Sequence, residues 1–217
     1  GRVNASAATI ANKVSATQVY ASTVTVSGAN ITGVNGNTAI IASVSGAVTS
    51  GHTAVWDASG NLTDGGSSGV ILQQVRTETG AVSTGSTTIP LDDSIPQSSE
   101  GDQYMTLAIT PISATSKLVI DVVGFFASSA NDDIVMALFQ DSTANALAAG
   151  TQVLTSVNLN VNIKFSHTMT SGTTSATTFK VRAGLGSAGT LTFNGKSGAR
   201  LFGGVMASSI IITEYAS

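Results

Sequence analysis

Two adjacent carboxylate pairs, Asp92-Asp93 and Asp132-Asp133, are the residues of this chain whose chemistry would suit hydrolysis. Glycoside cleavage needs two carboxyls converging at ~5 to 9.5 Å across a sugar, whereas neighbours along a strand point to opposite faces. Both pairs fall in turns predicted from the sequence, where Asp hydrogen-bonds nearby backbone, so local bonding or solvated charge is the expected role. Clustered oxygens also make Asn131-Asp132-Asp133 a calcium candidate, but the spacing does not match an EF-hand. His52 and His167 lie far apart in sequence, form no HxH or HExxH arrangement and have no cysteine to join them. Zinc held by a single chain is therefore not expected. In a trimer His52 can meet its own copies on the axis around an ion, the alternative being simple surface exposure. No G-x-S-x-G elbow is present. Gly184-Leu185-Gly186 and Gly203-Gly204 lack the lysine-bearing loop and helix of a phosphate site and read as turns or close strand packing. The sequence holds no catalytic constellation, and neither enzymatic activity, metal nor cofactor is expected.

The elements that would position these residues are strands. Val70–Thr77, Ser86–Ile89, Gln103–Ile109, Lys117–Phe126, Asp133–Gln140, Asn158–Ser166, Thr177–Ala183, Thr190–Asn194 and Ser209–Tyr215 are rich in β-branched and aromatic residues. In the sixth, Leu159, Val161, Ile163 and Phe165 alternate with Asn158, Asn160, Asn162 and Lys164, which gives one buried and one wet face. About eight such strands joined by Gly, Asn and Asp turns predict an antiparallel β-sandwich of jelly-roll type. Ser142 to Gly150 is Ala-rich but lacks a helix cap and reads as a loop or edge turn.

Residues 1–66 differ in kind. Ile10, Val14, Val19, Val24 and Ile31 recur at steps of four, five, five and seven, with Ala, Ser, Thr, Asn and Gly between them. Leu is absent before Leu62, and the filler residues are poor helix formers, so short β segments broken at Gly28, Gly33, Gly36 and Gly46 are the better reading. One thin apolar ridge per chain does not make a core. Either the chain coils into a β-solenoid, or three chains wind together, each lining a shared axis; the second needs fewer apolar residues and is the expectation. The expected division is therefore a shaft and connector over 1–66 and a β-sandwich head over 67–217, meeting at the hinge Asp64-Gly65-Gly66-Ser67-Ser68-Gly69. The five apolar residues of the beat are the predicted trimer-axis contacts.

Composition narrows the partners. Hydrophobic residues make up 42% of the 217, enough for a real core, while only 10% are charged against roughly 25% in an ordinary globular domain. A net charge of -3 offers no field for condensing on phosphate backbones, so nucleic acid is excluded as an expected partner. No cysteine is present, and stability must come from packing and assembly. No apolar run approaches the ~20 residues that span a bilayer, and no membrane insertion is expected. Acidic residues dominate from Glu78 to Asp141, whereas Lys164, Lys180, Arg182, Lys196 and Arg200 form a wholly basic run. Either the two halves neutralise each other within one sandwich, or they face each other across a subunit interface, where charge sets register. Tyr104, Tyr215 and Trp56 are the few aromatic candidates for sugar stacking, with burial an equal account of Trp56 and Tyr215.

Two segments resemble proteins of tailed bacteriophages. Thr53-Ala54-Val55-Trp56-Asp57-Ala58-Ser59-Gly60-Asn61-Leu62-Thr63-Asp64-Gly65-Gly66 resembles a connector found before the distal domain of phage fibres and spikes. Thr190–Gly195, Ala199–Val205 and Ser208–Tyr215, the last reading S-x-I-x-I-x-E, are similar to the closing strands of fibre tip domains, jelly rolls resembling the trimeric tumour necrosis factor and C1q heads. The resemblance implies a homotrimeric tail or head fibre on the virion, joined to other virion proteins through its N-terminal end. It implies further that the distal head adsorbs to a host surface glycan or protein. The alternative is a structural virion component, a head fibre, decoration or shaft protein, with no receptor of its own; a polysaccharide-degrading enzyme and a bacterial adhesin complete the field.

Overall fold

The computed structural model describes residues 52–217 apart from Asp57, Ser59, Gly60, Asn61, Ser67 and Ser68. The shaft expectation, with Ile10, Val14, Val19, Val24 and Ile31, lies outside the described residues. The first described element is a small hairpin, β1 (Ala54–Trp56) paired antiparallel with β2 (Leu62–Asp64), which forms a sheet of its own.

The remaining strands build two sheets. One has the order β5 (Asp102–Ile109), β10 (Thr177–Leu185), β7 (Ile134–Gln140), β8 (Ala148–Gln152). In the other, β6 (Lys117–Ser128) carries β9 (Val161–Thr170) along one edge. Along its opposite edge run β14 (Ser208–Tyr215) and then β11 (Leu191–Phe193), with β3 (Ile71–Thr79) outside β14 and β4 (Ser83–Gly85) outside β11. All pairings are antiparallel. The chain crosses between sheets from β4 to β5, β5 to β6, β6 to β7, β8 to β9, β9 to β10 and β10 to β11, so strands distant in sequence become neighbours. That order, β3-β14-β6-β9 facing β5-β10-β7-β8, is the antiparallel jelly roll expected from the sequence.

Alternation explains most of the core. Leu118, Ile120, Val122 and Phe126 of β6 and Ile210 and Ile212 of β14 meet Met105, Met136, Leu138, Phe179 and Val181 of the facing sheet, all within 4% of full burial. The run Ile134–Phe139 of β7 does not alternate because both its faces are covered. Ile134, Met136 and Leu138 enter the main core, while Val135, Ala137 and Phe139 pack beneath Ile89 on the outside. Residues 86–101 thus act as a strap across the outer face of the four-stranded sheet, with Ile89 N–H bonded to Leu185 O and Gly101 N–H to Thr88 O. The expected strand Ser86–Ile89 is corrected accordingly. It is an extended piece of this strap, and the strand nearby is β4 at 83–85. Gly184 lies where the strap crosses β10: a Cβ there would stand 2.5 Å from Thr87 O and 2.9 Å from Ile89 N.

Two other expectations shift. Asn158 has φ +58 and bonds its N–H to Ser128 O, so the sixth predicted strand begins at Val161, and Leu159 is 40% exposed instead of facing the core. Ala148–Gln152, read as the end of a loop or turn, is the edge strand β8.

Candidate functional site

Strand directions sort the loops to two ends. Val70, which opens the sandwich, accepts a hydrogen bond from Ala216 N–H, so both chain termini of the sandwich lie at the end where β6 begins. The turns after β3, β6, β8 and β10 gather at the opposite end, while β11 runs back from it, from beside Ser128 to beside Phe126 of β6.

Beside Phe125, where β11 ends and before β14 begins, the chain forms the hairpin β12 (Gly195–Lys196) and β13 (Ala199–Arg200), then a tight turn at Phe202–Gly204. Phe202, Gly203 and Gly204 all have positive φ, +47, +65 and +97. Phenylalanine rarely adopts that region, and such a conformation costs ~1 to 3 kcal/mol, sustained by its surroundings. Here the backbone is clamped. Gly204 N–H and Val205 N–H bond back to Leu201 O and Phe202 O at 3.0 and 3.2 Å. Gly80 packs so closely that a Cβ on it would collide with the Gly204 carbonyl. The result projects Phe202, 74% exposed, and Val205, 85% exposed, into solvent. Arg200 runs beside Gly204, and Lys196 and Arg200 are the only charged residues between Asn194 and Thr213.

The turn is anchored from below by a buried polar knot. Asn194, fully buried, donates from Nδ2 to Thr79 O and Ala81 O at 2.7 and 3.1 Å and from its N–H to Phe125 O. Its Oδ1 accepts the Ser208 hydroxyl at 2.6 Å, and Ser208 Oγ in turn accepts Phe125 N–H at 2.9 Å. Ser208 thereby joins the ladder where β14 gives way to β11 along β6.

A second surface is the outer face of the six-stranded sheet. Val119, Val123 and Phe125 of β6 and Ile211 and Tyr215 of β14 point away from the core and remain only half-buried in one chain. A hollow of about 350 Å³ opens on this face between Lys117, Val119, Tyr215 and the C-terminal residues.

The acidic candidates occupy turns. Asp92 Oδ1 accepts both Ser94 N–H and Ser94 Oγ–H, at 2.7 and 2.5 Å, and these bonds hold its carboxyl below the usual carboxylate range. It rims a groove of about 260 Å³ between the strap and β8 that Pro90, Pro96, Ala149 and Gly150 also line. Asp132 accepts Ser187 N–H at 2.5 Å and so ties the β6–β7 turn to the β10–β11 turn. Partial burial pushes its carboxyl up, but the Ser187 and Asp133 hydrogen bonds outweigh this and lower it. His52 Nδ1 and Asp64 Oδ1 lie 2.6 Å apart at the base of the first hairpin. His167 faces inward on β9 opposite Ile120, and burial pushes its imidazole down. Among the described residues no cluster of three or more His, Asp or Glu side chains is placed to hold a metal.

The basic run divides. Arg182 donates to Glu100 O and Gly101 O at 2.7 and 2.5 Å, and Lys180 donates to Asp141 O at 2.7 Å. These cations serve backbone carbonyls of the acidic half; Arg76 pairs with Glu78 within β3. Tyr104 is corrected as a sugar platform. Its ring packs against Phe193 and Phe126, with centroids 4.9 and 5.8 Å away, and its hydroxyl is buried without a hydrogen-bond partner among the described atoms. Trp56 is 61% exposed, so burial within one chain does not account for it. The projecting Phe202 was missed as a candidate; its signal was an aromatic followed by Gly203-Gly204, where a turn leaves a ring no neighbour to pack on.

No protein-family model matches the chain, and no curated protein sequence matches it. Solved structures similar to it include the Eiger TNF of S. frugiperda, 12% identical over 66% of this chain and 94% of that one, with a TM-score of 0.39. A CBM4 structure is 15% identical over 61% and 79%, with a TM-score of 0.34. The structure of infectious bursal disease virus Gx strain is 13% identical over 71% of this chain and 38% of that one, with a TM-score of 0.35. These scores are low, and it is the strand order that defines the jelly roll.

Proposed function

We propose that this chain is a virion fibre protein of the tailed-phage type, a homotrimer whose jelly-roll head adsorbs to a host surface through its far end. The observation that carries the reading is the polarity of the sandwich. The chain enters at the end where β6 begins, and the most exposed apolar side chains among the described residues, Phe202 and Val205, stand on a clamped turn that leaves the sheet beyond the end of β3, beside Phe125. A tether would hold that turn outward. The half-buried outer face of Val119, Val123, Phe125, Ile211 and Tyr215 supports trimerisation, because a second copy would cover it and residues 1–66 offer too thin a ridge to stand alone. Three heads on one shaft multiply weak contacts by ~10² to 10⁴ in avidity, which suits repeated surface sugars. The reading assigns the protein no catalytic step.

The test is a glycan array probed with the full chain. Binding that falls at least tenfold in Phe202→Ala and Val205→Ser, with assembly unchanged, supports the reading. Absence of binding to glycans and to whole host cells leaves the structural virion component as the better account. Release of sugar fragments from purified capsule or lipopolysaccharide would replace both readings with a degrading enzyme.

A further inference from the structure

Three arginines lie among the described residues, and two of them serve the fold. Arg76 pairs with Glu78, and Arg182 donates to Glu100 O and Gly101 O at 2.7 and 2.5 Å. The third, Arg200, is exposed, and among the described residues it neither hydrogen-bonds nor pairs with a carboxylate. In β13 it stands opposite Gly195, which has no side chain to offer it a partner. Lys196 stands opposite Ala199, one step along, so the two cations leave the hairpin on opposite faces. Arg200 runs instead along the clamped turn: its Cδ and Nη1 lie 3.5 and 3.4 Å from where a Cβ on Gly204 would stand. Phe202, 74% exposed, is two residues from Gly204, so ring and guanidinium belong to one turn. The stretch 195–213 carries both of these cations and no carboxylate, in a chain whose net charge is -3.

An unpaired guanidinium is a planar fork of N–H donors whose geometry matches the oxygen pair of a carboxylate or phosphate. An exposed phenyl ring beside it offers an apolar platform for the face of another ring. We propose that this turn takes an acidic saccharide, with Arg200 holding its carboxylate or phosphate while a sugar ring lies on Phe202. The proposal rests on the reading that the turn is the contact surface of the head, and it names the ligand class. The backbone argues for a prepared site. Hydrogen bonds from Gly204 and Val205 N–H to Leu201 O and Phe202 O, and the close packing of Gly80, hold the left-handed run Phe202–Gly204 in place. Ring and cation are therefore carried on a fixed turn before any ligand arrives, which lowers the ordering cost of binding.

The test is binding of the full chain to three matched saccharide sets: hexuronate oligomers, the same oligomers with their carboxyls reduced to alcohols, and oligomers bearing glycerol phosphate. Binding to a charged set about tenfold or more above the neutral one, and weakening as salt rises, is the expected result. The preferred charged set then tells carboxylate from phosphate. Arg200→Gln should lose most of that preference and Arg200→Lys should restore only part of it, because an ammonium lacks the fork. Lys196→Gln, on the opposite face, should leave it nearly unchanged, and thermal unfolding should be the same in all three variants. Equal binding to the neutral set that falls in Phe202→Ala but not in Arg200→Gln overturns the acidic ligand and leaves the turn as the contact surface. Charge-selective binding that survives Arg200→Gln also overturns it, since another cation then holds the anion. Binding to whole host cells that falls in Phe202→Ala, with none to any saccharide set, overturns the saccharide. Absence of binding to saccharides and cells alike overturns the reading of the turn and the proposal with it.

Discussion

Glu214 shows how much one residue of a motif can hold. Its side chain sits at the last inward position of β14 and is fully buried with no cation beside it. Ser116 Oγ–H at 2.5 Å, Gln73 Nε2–H at 2.6 Å and the N–H groups of Ile112 and Ser113 all donate to it. Burial pushes the carboxyl up, but these donors outweigh it and hold the pKa below the usual range. A folded pKa below the unfolded one means stability that is fully present above the unfolded value and is lost as pH falls through the folded one. Thermal unfolding across pH 2 to 7 should therefore show a steep acid loss below about pH 4. Glu214→Gln should flatten that loss, and Glu214→Ala should cost about 3 kcal/mol at neutral pH by stranding buried donors. The S-x-I-x-I-x-E pattern was legible as a closing strand. Its Ser and Glu were not legible as the two polar anchors at its ends, because their partners, Phe125 of β6 and Asn194 for the one, Gln73 of β3 and the 110–116 loop for the other, are far away in sequence.

At the scale of elements, legibility followed how many faces were buried and how long the strand was. β9, β6 and β14 alternate because one face is wet; β6 and β14 were read to within two residues at each end, whereas β9 was expected over 158–166 and runs Val161–Thr170. β7 reads as a continuous apolar run, which one chain of letters cannot distinguish from a buried edge or a helix segment; the strap over its outer face supplies the reason. β4 and β8 were missed because three and five residues of Ser, Thr, Gly and Ala carry no periodicity. The strap also yields a prediction. Gly184→Ala would press a methyl group into Thr87 O and Ile89 N, so hydrogen exchange at Ile89 and Gly101 should accelerate at least tenfold while amides of β6 and β14 keep their protection. Unchanged exchange at those two amides would mean that the strap is held by something other than its contact with β10. The candidate contact turn at 202–204 was invisible for a related reason: exposure of Phe202 depends on a left-handed backbone that Gly80 fixes from another strand pair.

For the whole molecule, the sequence divided the chain by composition, and the sandwich bears out the architecture expected of the second part. The proposed function at this scale requires several copies to act together. The jelly roll leaves Val119, Val123, Phe125, Ile211 and Tyr215 half-buried on an outer face that also carries Lys117, Asp121 and Lys164, the connector leaves Trp56 exposed, and the sequence of the first residues carries a ridge too thin for a core. If charge across subunits sets register, added salt should weaken assembly moderately; if apolar cover dominates, salt should leave it unchanged or strengthen it. The most direct measurement of the account is sedimentation equilibrium of the full chain at micromolar concentration. A single species of three 21.7 kDa chains is the predicted result, and a compact monomer would contradict the account.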